Sequence, residues 1–293
     1  MLRLIALLTA LAVCSFAGTF TVTPTTDASA LVNTLLGSGI TIVGTPTLTG
    51  VSGQGGSFVD FDSGIWTNPL TNATGDIKFA SGVILSSGYS ANAAGAYTNG
   101  GASSNIGGTG DADLTALAGY TTYDAVDLTF SFTTPDSNVF FNYVFASTEY
   151  FTYVNTQYND AFGFFLDGVN LALVPGTNTP VAVNNVNVGN PVGVGPTNAQ
   201  YFTQYSIDGA TPFNYGGLTQ VLTVQQAVTP GSVHTISLKI ADASDPVLDS
   251  AVLIQGGTFG TIDPGVPEPA TLLLVGGGLL AAVAVRMRRY RRG

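Results

Sequence analysis

Three stretches of this chain alternate large apolar and polar residues with a period of two, and they constrain the fold more than anything else in it. Leu128, Phe130 and Phe132 form the first row, Phe141, Tyr143 and Phe145 the second, and Phe162, Phe164 and Leu166 the third. Successive side chains of an extended strand point to opposite faces, so each row reads as the buried face of one strand. The third row runs into Asp167-Gly168, a pair suited to a tight hairpin because both residues tolerate positive φ. Shorter strand patterns occupy 40–43, 58–62, 79–88, 219–224, 233–241 and 250–254. One helix fits, over 28–36, with Asp27 as its cap, an apolar stripe of Leu31, Leu35 and Leu36, and Gly37 at its end. Segments 89–113 and 177–217 are rich in Gly, Asn and other small residues and read as long loops. The first leads at 110–114 into a short turn or helix. The expectation is an all-β, antiparallel β-sandwich, jelly-roll-like, with one short N-terminal helix.

The two ends of the chain do not belong to that sandwich. Arg3, the apolar run 4–13 and the small residues around 15–17 have the order of a secretory signal peptide, 1–17. Cys14, the only cysteine, falls inside it, so the exported part is expected to carry neither a disulfide nor a thiolate metal site. At the other end, Val266-Pro267-Glu268-Pro269 breaks regular structure. Residues 271–285 are uncharged, and Arg286, Arg288, Arg289, Arg291 and Arg292 follow. As a helix the uncharged run is about 22 Å long against a hydrocarbon core of roughly 30 Å. A C-terminal transmembrane helix is therefore expected, short for a permanent span, with the arginines as a cytoplasmic stop and the domain outside. The organisation read from this is a signal peptide at 1–17, a β ectodomain at 18–259, a linker at 260–265 and a tail at 266–293.

Charge narrows the chemistry. Lys78 and Lys239 are the only basic residues between the two ends and face seventeen acidic ones, a net charge of −15 over 18–265. Such a surface repels nucleic acid. His234 is the only histidine and sits in an alternating strand, which leaves no basis for histidine zinc sites and little for a Ser-His-Asp triad. Phosphate-binding and dinucleotide fingerprints are missing as well.

Carboxylates remain. Asp242, Asp245 and Asp249 share one loop between two strands; Asp111 and Asp113 form a second pair, and Glu149 and Asp160 a third. Hard cations take several carboxylate and carbonyl oxygens, so calcium is the cofactor these groups suit, while aspartates also cap turns without any ion. Paired carboxylates could also serve a glycoside hydrolase, but only Trp66 stands out as a sugar platform.

Two resemblances follow from these residues. The tail, with Pro267, Glu268 and Pro269 ahead of an apolar run and an arginine cluster, resembles the PEP-CTERM sorting signal of Gram-negative bacteria. That resemblance implies insertion in the inner membrane and processing by an exosortase. The ectodomain resembles the choice-of-anchor L domain through 31–40, 82–88, 110–114, 143–150, 159–166 and the run from His234 through Asp249-Ser250. Thr148 stands where that family more often has an acid. The family implies a secreted or surface-attached module and supplies no catalytic residues. The expected function is thus a non-enzymatic cell-surface or extracellular-matrix protein, calcium-stabilised and associated with exopolysaccharide or biofilm. The alternative is a carbohydrate-binding or adhesive module.

Overall fold

The structure, a computed structural model, describes residues 19–98, 100–204 and 213–265. The expected signal peptide and the tail with its transmembrane helix lie outside these residues. Among the described residues no helix is long and apolar enough to cross a membrane.

Two antiparallel sheets carry the fold. The larger contains β1 (Thr21–Pro24), β3 (Gly55–Thr67), β4 (Thr74–Ser86), β13 (Ser250–Gln255), β6 (Asn138–Ser147), β10 (Gly217–Thr219) and β9 (Phe202–Gln204), hydrogen-bonded in that order. An eighth strand, β11 (Leu222–Ala227), pairs with the beginning of β6. The smaller sheet orders β2 (Thr41–Thr49), β5 (Thr122–Thr133), β12 (His234–Ala243), β7 (Ala161–Leu166) and β8 (Val169–Asn170). The chain crosses repeatedly between sheets, and β3–β4, β7–β8 and β9–β10 are neighbours both in sequence and in space. Asp167 and Gly168 close β7–β8 with φ of 50° and 84°, as the turn chemistry requires.

The three aromatic rows meet in one core. Leu128, Phe130 and Phe132 of β5 and Phe162 and Phe164 of β7 pack with Phe141, Tyr143 and Phe145 of β6 between the sheets. Phe164 shows how tight the contact is: its ring centroid lies 4.9 Å from those of Phe141 and Tyr143 and 5.1 Å from that of Phe162. A second core covers the other face of the large sheet, where Phe58, Phe61, Phe79, Val144 and Leu253 meet Phe20, Phe213 and Tyr215 from outside it. For that reason β6 is buried on both faces, and not on one as its alternation suggested.

There are two α-helices: the one expected near the N-terminus, and a second where 110–114 was read as leading into a short turn or helix. The first, α1 (Ala28–Leu35), starts where Asp27 accepts a bond from the Ala30 N–H and buries Leu31, Val32 and Leu35. The second, α2 (Ala112–Ala118), arises because Asp111 caps two amides, those of Asp113 and Leu114, and Gly119 ends it at φ 77°. Segment 89–111 holds a single 3-10 turn (Ser90–Ala93) and is otherwise a loop, as expected.

Candidate functional site: a buried acidic end of the sandwich

The inward rows of three neighbouring strands end in aspartate. Counting back by twos along β5 from Phe132 leads through Phe130, Leu128 and Val126 to Asp124. Along β12, Ile236, Leu238 and Ile240 lead to Asp242, opposite a bulge in β5 where Asp124 has φ 52°. On β7, Phe164 and Phe162 lead back to Asp160. Ala241 pairs with Ala161, which sets Asp242 opposite Asp160. Asp124 and Asp242 are 0% exposed and Asp160 is 1% exposed. Asp249, at the start of β13, and Glu149, after β6, are buried with them.

These acids differ in what satisfies them. Asp160 ties the sheets together, accepting from the Ala243 N–H at 2.8 Å and from the Ser250 hydroxyl at 2.6 Å. Asp249 accepts from the Ser104 N–H at 2.7 Å and its hydroxyl at 3.0 Å. Asp124 accepts from the N–H groups of Ile106 and Gly108. Asp124 and Asp249 therefore pin the long loop 89–111 onto the end of the sandwich. Asp242 has no such role: neither of its carboxylate oxygens has a hydrogen-bond partner. Ser87 lies close enough to ease its charge. The Ser87 hydroxyl, however, is engaged with the Ser250 backbone, donating to its carbonyl at 3.3 Å and accepting from its N–H at 2.9 Å. Glu149 Oε2, Thr148 Oγ1 and Tyr150 Oη are likewise buried without partners.

No cation of the described residues compensates this charge. Lys78 pairs with Asp62 and Asp76, Lys239 with Asp111, Asp113 and Asp127, and His234 with Asp167. The carboxyls respond as isolated buried acids do. Burial pushes Asp249 up to about 6 against the opposing bonds from Ser104. Burial also raises Asp160 despite its bonds to Ser250 and Ala243. Asp242 is held well above the usual carboxylate range by burial and then by the charge of Asp160. Glu149 is pushed up to about 9 by burial, with Asp160 and Asp245 adding to it.

Of the residues singled out from sequence, the fold brings Glu149, Asp160, Asp242 and Asp249 together, with Asp245 on the rim. It places Asp111 and Asp113 elsewhere, on the Lys239 ammonium at 2.9 and 2.7 Å. Among the described residues, no group of three or more acidic or histidine side chains is arranged to hold a metal by itself. Asp124 was missed, although its position in the inward row of β5 was a usable signal. A cavity of about 290 Å³ beside the cluster, lined by Ser103, Glu149, Tyr153, Tyr158, Asp245, Val247 and Leu248, was also missed. Its walls come from loops with no periodicity to read.

No curated protein and no solved structure matches the chain. Residues 265–289 match the PEP-CTERM protein-sorting motif, which marks an exported, surface-sorted protein handled by an exosortase-type enzyme. Residues 21–260, nearly all of the described structure, match the Choice-of-anchor L domain, and the chain belongs to that family.

Proposed function

We propose that this protein is a non-enzymatic module of the cell surface or extracellular matrix of a Gram-negative bacterium, held in shape by calcium at its acidic end. The observation that carries the calcium reading is Asp242, fully buried with both oxygens unpartnered, in a cluster that no lysine, arginine or histidine of the described residues reaches. The side chains that bear on it, those of Ser87, Asp124, Asp160 and Asp249, offer only oxygens, the set a hard divalent cation takes. Asp242, with Asp160 or Asp249, would supply the charge, and hydroxyl and backbone oxygens would complete the shell. Calcium bound there would stabilise the native state by mass action, by about 2.7 kcal/mol at one hundred times its dissociation constant. The test is a thermal melt of the protein in millimolar calcium and again in chelator. A rise of several degrees in calcium supports the reading; identical melts sink it.

On this reading the inner membrane and the exosortase are partners of the precursor only, and an exopolysaccharide matrix is where the released domain resides. A carbohydrate-binding or adhesive module is the second reading, favoured by the two tyrosines on the wall of the cavity beside Glu149. Saturable binding on a glycan array would distinguish it from a purely structural role.

A further inference from the structure

The cavity beside the acidic end is an open cleft bounded by three segments: the connection from β6 to β7 gives Glu149, Tyr153 and Tyr158, the β12–β13 loop gives Asp245, Val247 and Leu248, and the long loop gives Ser103. Its walls are fixed before any ligand arrives. The Tyr153 N–H donates to the Glu149 carbonyl at 3.0 Å, and the Ser244 hydroxyl bonds the Gln157 carbonyl at 2.8 Å, tying two of the segments together. Leu248 N–H donates to the Ser103 hydroxyl at 3.2 Å, which ties in the third. The Tyr153 and Tyr158 rings stand edge to face, centroids 5.2 Å apart and planes at 79°, so they form two sides of a corner. Glu149 is 2% exposed, and its Oε2 has no hydrogen-bond partner.

We propose that this cavity binds a protonated primary amine, with Glu149 and Asp245 receiving its N–H donors and Tyr153 and Tyr158 flanking the carbon frame that carries it. Three properties select this class. Two carboxyl groups and no basic side chain line the cavity, so a carboxylate or phosphate ligand finds no cationic partner there. Burial keeps the Glu149 carboxyl protonated before a ligand arrives, with Oε2 unpartnered; an arriving ammonium brings three N–H donors and a positive charge that favours the ionised form. The aromatic and aliphatic walls attract an alkylammonium through the ring faces and by apolar contact, whereas a hydrated metal ion gains little from them. The site borders the one in the calcium reading without sharing its carboxyls: that reading rests on Asp242 with Asp160 or Asp249, and Asp160 lies near enough to raise Glu149. An amino sugar of a surface polysaccharide and a lysine side chain carry the same chemistry.

The test is calorimetric titration of the full-length protein in chelator with two matched pairs: glucosamine oligomers against N-acetylglucosamine oligomers, and Nα-acetyl-lysine amide against its norleucine counterpart. At least one amine should bind saturably, about tenfold or more tighter than its neutral partner. Whichever pair shows the preference identifies the source. Glu149→Gln should remove the preference, Asp245→Asn on the rim should weaken it, and Tyr153→Leu should cost about fivefold. Asp242→Asn should leave amine binding intact even if it abolishes a calcium response, so failure of either reading is visible without the other. Equal binding of amine and neutral partner, no saturation by about 10 mM of either amine, or an Asp245→Asn variant that melts normally and binds unchanged would overturn the proposal.

Discussion

Asp242→Asn should change protein stability in opposite directions depending on calcium. The substitution keeps the shape of the side chain and removes only its ability to ionise. In chelator at pH 8 the native protein must either hold Asp242 as a buried carboxylate or keep a proton on it that the unfolded chain releases, and ions isolated in this way cost several kcal/mol each. Asp249 provides a lower bound. It keeps two bonds from Ser104, yet its carboxyl rises from 3.8 to about 6, a penalty of about 3 kcal/mol once ionised. Removing the charge of Asp242 should therefore stabilise the chelated protein by about 3 kcal/mol or more, roughly 6–12 °C in melting temperature for a domain of this size. In 10 mM calcium the order should reverse. The wild type should gain roughly 5–10 °C, if its affinity lies near the 0.1 mM of tighter extracellular modules, and the variant should gain almost nothing. Scanning calorimetry of both proteins in both buffers measures all four quantities. A variant less stable than wild type in chelator would show that Asp242 serves an internal hydrogen-bond network. An equal calcium gain in both proteins would place the ion elsewhere.

The acidic end also sets a pH dependence for the calcium-free protein. Carboxyls whose folded values are raised bind more protons in the native state, so their stabilising effect is complete below about pH 4 and is lost as pH rises through about 6 for Asp249. Chelated protein should unfold more easily at pH 8 than at pH 5.5 in urea titrations, and a flat profile would contradict this. His234 contributes in the same direction, its value raised by the 2.6 Å bond from Nδ1 to Asp167. Its contribution is present below about 6.5 and is lost as pH passes the folded value; in an NMR titration Asp167→Asn should lower the His234 midpoint. Phe164→Ala should destabilise by about 4 kcal/mol, given a fully buried ring in contact with three others, and lower the melting temperature by roughly 10 °C. Alanine at Pro267, Glu268 and Pro269 should hold the protein in the cell-membrane fraction, whereas unchanged release would make the tail a plain anchor.

The sandwich was legible because its core rows are strictly alternating: Phe130, Phe141 and Phe164 all lie where period two put them. The layout of the strands was not. Nothing in a single row says that β13 inserts between β4 and β6, or that β6 would be covered on its outer face by Phe213 and Tyr215 as well. The first depends on pairings between residues more than a hundred positions apart, and the second on packing against residues brought in from a distant loop. The second helix needed recognition of Asp111 as a cap with Gly119 as a stop, a signal present but spread over nine residues.

The acidic end shows where sequence patterning carries more information than composition. As a composition, seventeen acids in the exported part say only that the surface is negative. Placed on the strands, three of them end inward rows otherwise filled with Val, Leu, Ile and Phe. Parity sends Asp160 and Asp242 to the same side as the core, and the bulge in β5 leaves Asp124 buried beside them. Asp124 and Asp160 are bonded to backbone amides or hydroxyls, which is reason enough for them to be there. Asp242, on the strand between theirs, is bonded to nothing. Hydrogen bonding within the fold accounts for the first two and leaves the third unexplained, and a ligand of opposite charge is the simplest agent that would keep it there. Asp242→Leu, melted in chelator and again in calcium, is the complementary test: if the position has only a packing role, the apolar residue should be tolerated there with every calcium effect unchanged.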